Sequence, residues 1–239
     1  MGCKINSSNP PILCRFASTK PSQRIKKFAL SSYNPSQQDP VSSIITTQQT
    51  DRLPNVCTVN FKTMKACKLG ISRYPDFEYN AEGGKGTGTG TRKNTNGDEI
   101  SVSFDLETLY IPPLTSATTT FLGLPMPPFL KIDIVPELFQ GSIDQESGRV
   151  DLEFTAKFLF SVGSIYRAPP LLVKTVLSSE ESKGEIRSGR GERLDKEGKC
   201  RLVGVAIVDP IDDLFMNTFL ALPTECLANL NAVISLSTL

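Results

Sequence analysis

Three groups of residues in this sequence have types and spacings that could do chemistry. The first is Gly83-Gly84-Lys85-Gly86-Thr87-Gly88-Thr89-Gly90-Thr91-Arg92. A glycine-rich loop can cradle a phosphate on its backbone N–H groups, with a lysine and a hydroxyl completing the site. The spacing here fits neither common form. A P-loop needs Gly-Lys followed by Ser or Thr and then a helix, but Lys85 is followed by Gly86, and the turn residues Asn94-Thr95-Asn96-Gly97 come next. The dinucleotide fingerprint Gly-x-Gly-x-x-Gly, counted from Gly84 or Gly86, ends on Thr89 or Thr91. Alternation of Gly with Thr fits an edge strand or a mobile loop instead.

The second group is Arg187, Arg190 and Arg193, spaced by Gly189 and Gly191. Three arginines at this spacing are a candidate anion contact. Glu185, Glu192 and Asp195 partly cancel them, which favours a solvated strand or loop. The third group is acidic. Asp133, Glu137, Asp151 and Glu153 could supply paired-carboxylate chemistry, and Asp209, Asp212 and Asp213 could hold a cation. Outward strand carboxylates are usually solvated. The last three are explained by helix capping, with Asp209 as cap, Pro210 at the first helical position and two acids against the dipole.

The chain has no histidine, which removes the commonest general base and the Ser-His and Cys-His nucleophile pairs. Six cysteines are present, none in a Cys-x-x-Cys pair, so the usual zinc patterns are absent. Their expected state is isolated thiols in a reducing compartment. Tyr79, Tyr110 and Tyr166 remain as hydroxyls on which an enzyme could be built. The balance favours a non-catalytic protein, and no pattern calls for a cofactor.

The elements that must position these residues are strands. From Val150 the apolar residues fall on every second position: Val150, Leu152, Phe154, Ala156, Phe158 and Phe160. A period of two places them on one face of a strand. Asp144-Gln145-Glu146-Ser147-Gly148 turns this strand back onto the one from Leu130, giving a central antiparallel hairpin. Ile100, Val102, Phe104 and Leu106 alternate in the same way. Lys68–Tyr79, with Pro75 inside, suits an edge strand. Further strands are expected at Leu171–Leu177, Cys200–Val208 and Leu227–Leu239, with turns at 180–184 and 195–198. Ile211, Leu214, Phe215, Phe219 and Leu222 define one face of a helix over 210–222, stopped by Pro223. The predicted fold is mainly β: an antiparallel barrel or strongly curved sheet of about eight strands with one short helix near the C-terminus.

Five prolines in residues 112–128 impose an irregular, extended connection. Its apolar residues are Ile111, Leu114, Phe121, Leu122, Leu124, Met126 and Phe129. Packed, this loop plugs an end of the sheet; exposed, it is a candidate docking surface for a partner. Thr120-Phe121-Leu122-Gly123-Leu124-Pro125 is echoed by Thr218-Phe219-Leu220-Ala221-Leu222-Pro223, which hints at two related corners.

Residues 1–56 read as an address and linker, ahead of a single β-rich domain over 57–239. Through Gln38 the chain has basic residues and no acid, many hydroxyls, and prolines at 10, 11, 21 and 35. That composition is typical of an organelle transit peptide, and the proline breaks favour plastid over mitochondrion. Seven of the 26 basic and two of the 25 acidic side chains lie in residues 1–56, so the body carries 19 basic against 23 acidic groups. An acidic body argues against nucleic acid as partner. No apolar run approaches the roughly 18 residues of a membrane-spanning helix. The resulting expectation is a non-catalytic chloroplast protein, stromal or peripheral at the thylakoid, that assists assembly or maintenance by binding a thylakoid or stromal protein. The alternatives are a barrel that holds a lipid, pigment or other apolar small molecule, or an enzyme on such a barrel.

Overall fold

A computed structural model describes residues 56–71, 74–92 and 98–238, all within the compact unit Thr50–Leu239. The expected transit peptide and linker lie outside the described residues, apart from Val56, and so does the turn at 94–97. The body is mainly β, as the alternation predicts.

In chain order it begins with β1 (Val56–Thr63), β2 (Cys67–Ile71), β3 (Tyr74–Tyr79), β4 (Lys85–Arg92) and β5 (Glu99–Phe104). A small hairpin, β6 (Thr119–Phe121) and β7 (Leu124–Pro125), precedes the long pair β8 (Leu130–Asp144) and β9 (Val150–Val162). After β10 (Tyr166–Arg167) and β11 (Leu171–Ser178) comes a second small hairpin, β12 (Glu181–Lys183) and β13 (Ser188–Arg190). The chain finishes with β14 (Lys199–Val208), the helix α1 (Leu214–Leu220) and β15 (Thr224–Thr238).

Eight of these strands form an antiparallel ring in the order β1-β4-β5-β8-β9-β11-β14-β15, and β15 pairs back onto β1. The ring is a strongly curved sheet with a weak seam. Between β11 and β14 the ladder is reduced to Ser178↔Val203, helped by a bond from Thr175 Oγ1 to the Val205 carbonyl at 2.8 Å.

β15 has two partners on one edge. Its Ala232–Thr238 part pairs with β1, and its Cys226–Asn229 part pairs with β2. The chain kinks between them at Met64–Ala66, where Ala66 takes a left-handed φ of 58°. Asn231 braces the kink, donating from Nδ2 to the Lys65 and Ala66 carbonyls at 3.2 and 3.0 Å. From β2 a branch runs through β3, β6 and β7. Lys68–Tyr79 is therefore two strands inside a branch, not one edge strand.

The Gly/Thr stretch is also internal: β4 lies between β1 and β5. Gly86, Gly88 and Gly90 face inward, with Thr87, Thr89 and Thr91 outward. A Cβ on Gly88 would lie 2.5 Å from the Ser103 carbonyl, so only glycine allows the two strands to approach this closely. Phe104 lies beside Gly88 and belongs to an aromatic cluster with Phe61, Phe139 and Phe154. Their rings pack at centroid distances of 5.9 Å (Phe61–Phe104), 5.1 Å (Phe61–Phe139), 4.5 Å (Phe104–Phe139) and 5.8 Å (Phe139–Phe154). Each such pair adds about 0.5–1.5 kcal/mol beyond the area it buries.

Two more clusters continue the interior. One gathers Cys67, Tyr79, Ala81, Leu114 and Met126; the other gathers Phe160, Leu171, Val208, Met216 and Leu220. Leu130 and Ile132 pack against both, and Leu230 joins the first of them to the ring core.

Two further sequence expectations need correction. The turn placed at 180–184 is largely strand β12, and the chain reverses at Gly184–Arg187 instead. The helix is shorter than 210–222 and is capped by Asp213, not Asp209: Asp213 Oδ1 accepts from the Met216 N–H at 2.8 Å. Its buried face is Met216 and Leu220, so Leu214, Phe215 and Phe219 form the exposed face rather than the core face.

Candidate functional site

Most of the residues that could do chemistry are occupied within the fold. Among the carboxylates, Asp133 pairs with Lys131 at 2.8 Å and Glu137 with Lys157 at 2.5 Å. Asp151 takes Arg149 Nε at 2.7 Å and the Ser178 hydroxyl at 2.6 Å, and Glu153 accepts from Gln140 at 3.2 Å. Asp151 and Glu153 line one open surface hollow between β5 and β9, but each is engaged by a separate partner there. Among the described residues, no group of three or more His, Cys, Asp or Glu could hold a metal ion.

The arginines do not converge on one anion. Arg187 turns into the fold, where Nη1 donates to Asp76 Oδ1 at 2.7 Å and Nη2 to the Ile71 and Tyr74 carbonyls at 2.6 Å each. Arg193 pairs with Glu180 at 2.5 Å, a contact that raises its pKa. Arg190 is exposed and makes no ion pair among the described residues.

Burial raises the pKa of Cys67, Cys200, Cys226, Tyr79 and Tyr166. Cys57, Cys67 and Cys200 are buried and Cys226 half-buried, all as free thiols. Burial pushes Cys200 up to about 12 and Cys226 up to about 11, far from the range of a reactive thiolate. Tyr79 is buried and donates to the Pro112 carbonyl; burial raises its pKa strongly. Tyr166 is pushed up to about 12 by desolvation and by its bond to Asp213 Oδ2 at 2.7 Å. Tyr110 is exposed, and its backbone pairs with Lys85.

The Pro-rich connection is both plug and exposed surface. Leu114 and Met126 are buried, and the Leu114 backbone pairs with Ile132 on β8. Ile111 and Phe121 are half-buried, while Leu122, Leu124 and Phe129 stand out from the surface.

The three outward residues belong to a larger feature. The β6–β7 tip, Phe129 before β8, the β9–β10 turn and α1 all lie at one end of the ring. Leu122, Leu124, Phe129, Ile165, Leu214 and Phe215 are between 56% and 91% exposed there. A chain of aromatic rings runs from β3 and β6 through α1 to β10 and β9. Phe77 stacks on Phe121 at 4.7 Å, Tyr74 lies 6.4 Å from Phe121 and 5.7 Å from Phe219, and Phe219 stacks on Phe215 at 5.6 Å. Phe215 meets Tyr166 at 5.4 Å, and Tyr166 meets Phe160 at 6.2 Å. Isolated exposed apolar residues are ordinary; several on segments joined by aromatic contacts make a candidate interaction surface.

Local pattern missed the α1 and Ile165 contributions, because the helix was read with its exposed face inward. The repeated Thr-Phe-Leu-x-Leu-Pro was the available signal. Its two copies differ in backbone, one a hairpin and one the end of a helix, yet their Phe121 and Phe219 rings converge on Tyr74. Leu122 and Leu124 of the first copy are exposed, whereas Leu220 and Leu222 of the second pack into the core.

Compared with protein-family models, curated proteins and solved structures, the chain matches none.

Proposed function

We propose that this chain is a non-catalytic docking protein that binds a protein partner through its apolar end. One observation carries the reading: six strongly exposed apolar side chains, from four separate segments, stand at the end of the ring through which a chain of aromatic contacts runs. Aromatic anchors are what protein interfaces concentrate at their centres. Exposed Asp209 and Asp212 flank the approach to α1, and the body is acidic, so an anionic lipid surface is the poorer fit. The alternative of an apolar ligand inside the ring needs an open, lined interior, and packed side chains fill it. The basic, hydroxyl-rich and acid-poor amino-terminal segment supports work in the chloroplast, in the stroma or at the thylakoid surface, as an assembly or maintenance factor.

The test is capture from a chloroplast extract by the wild-type chain and by a variant carrying Leu122→Ser, Leu124→Ser, Leu214→Ser and Phe215→Ser. The expected result is one stoichiometric protein with wild type and its loss with the variant. Equal recovery by both, or recovery of nothing stoichiometric, overturns the reading. Flotation of the wild type with protein-free vesicles would move the assignment from protein to membrane.

A further inference from the structure

We infer that Arg187 and Glu225 are positioning residues for the docking surface, clamping the end of β2 and Tyr74 at the start of β3 against α1. This rests on reading the apolar end as that surface.

The β12–β13 hairpin lies against β14 and β15. Its turn presents three successive backbone N–H groups, of Glu185, Ile186 and Arg187, to the Glu225 carboxylate at 2.6, 2.9 and 2.8 Å. Successive N–H groups of this kind make a concave anion site. Here the anion is a buried side chain of the same chain. The fit is close: a Cβ on Gly184 would lie 2.5 Å from Glu225 Oε2.

With its backbone fixed in this way, Arg187 spans to the neighbouring branch. Its guanidinium bridges the Asp76 carboxylate and the Ile71 and Tyr74 carbonyls, so it holds the end of β2 and the start of β3 together. Tyr74 in turn donates its hydroxyl to the Phe219 carbonyl at 2.7 Å and places its ring between Phe121 and Phe219. The path is a closed loop. It runs from the end of α1 to Glu225, through the hairpin to Arg187, on to Tyr74 and back to α1. Ring closure by β1 and β15 uses none of these residues. Removing the clamp should therefore loosen the apolar end and spare the ring.

The test is hydrogen–deuterium exchange on the full chain, comparing Arg187→Ala, Glu225→Ala, the double variant and Arg187→Lys with wild type. Each single alanine variant should speed exchange about tenfold or more in peptides from 69–79 and 119–125, while 139–152 stays as in wild type. The double variant should be no faster than the worse single one, and Arg187→Lys should restore part of the protection and of partner capture. Gly70→Ala is a second route, because its Cβ would lie 2.8 Å from Asp76 Oδ1 and 3.1 Å from Arg187 Nη1. It should give the same pattern if Arg187→Ala does not fold. Exchange at 69–79 within about twofold of wild type, or acceleration spread equally over the ring, overturns the clamp. Exchange is read without a partner. Its failure therefore overturns the clamp alone, whereas undiminished capture by the four-serine variant overturns the docking reading alone.

Discussion

The two ends of the ring finish in opposite ways. At one end, β8 turns into β9 through Gln145-Glu146-Ser147-Gly148, and Asp195-Lys196-Glu197-Gly198 leads into β14. There the turn chemistry is self-sufficient. Asp144 Oδ1 accepts from the Ser147 N–H at 2.8 Å, and Asp195 Oδ1 accepts from the Glu197 and Lys199 N–H groups at 2.8 Å each. The remaining side chains are polar and exposed, as a solvated end requires. At the other end, local requirements do not explain the residues present. Nothing about turn geometry calls for Leu122, Phe129 or Ile165 to stand in water. Side chains that serve neither the core nor the turn, and that cost solubility, are best explained by something outside the chain.

The contrast can be broken most directly at the apolar end. The four-serine variant there should lower partner capture by roughly 100-fold or more. A matched variant at the polar end, Glu146→Ser, Lys196→Ser and Glu197→Ser, should leave quantitative capture unchanged. Stability should show the reverse dependence. Phe139 is buried among three aromatic rings, so Phe139→Ala should cost about 3–5 kcal/mol in urea denaturation. Phe129→Ala, at an exposed position, should stay within about 0.5 kcal/mol of wild type. Gly88→Ala should cost about 1–3 kcal/mol by the same assay, because its Cβ would meet the Ser103 carbonyl at 2.5 Å.

The smallest effects concern caps and acid. Asp213→Ala should lower the melting temperature by about 2–4 °C through loss of the α1 cap, and Asp213→Asn should recover most of it. Hydrogen bonds hold three carboxyls below their usual pKa: the Met216 N–H at Asp213, the Arg187 N–H at Glu225 and the Ser147 N–H at Asp144. A depressed folded pKa stabilises fully above the ordinary carboxylate value near 4, and that support is lost as pH falls through the folded value. Acid should thus weaken both ends. Thermal midpoints below about pH 4 should depend less on pH in Asp144→Asn and Asp213→Asn than in wild type.

How much of this was legible in the sequence depends on how local the cause is. The β8–β9 hairpin shows in the strict alternation from Val150 and in the Asp144–Gly148 turn, because side-chain period and turn chemistry are local properties. β5 and β14 are legible for the same reason. The Gly/Thr strand misleads, since its glycines answer to Leu109 and to residues of β1 and β5 that no window around residue 88 contains. The helix misleads in a different way. Asp209-Pro210 satisfies the capping rule as well as any pair could, but Asp213 also receives the Tyr166 hydroxyl from 47 positions away, which favours the later start. Which apolar stripe of α1 turns inward was likewise decided by the hollow it fills, not by its own periodicity. The apolar end was half legible. Leu122, Leu124 and Phe129 stood in a Pro-rich apolar loop, but their junction with Ile165, Leu214 and Phe215 exists only once the chain is folded.

The central claim is that the apolar end, and not the polar one, meets a partner. A photoreactive phenylalanine analogue placed singly at Leu124, Phe215, Glu146 or Lys196, followed by irradiation in intact chloroplasts, tests it most directly. One discrete adduct is expected from Leu124 and Phe215 and none from Glu146 and Lys196. No adduct from the apolar positions, or the same adduct from both ends, would contradict it.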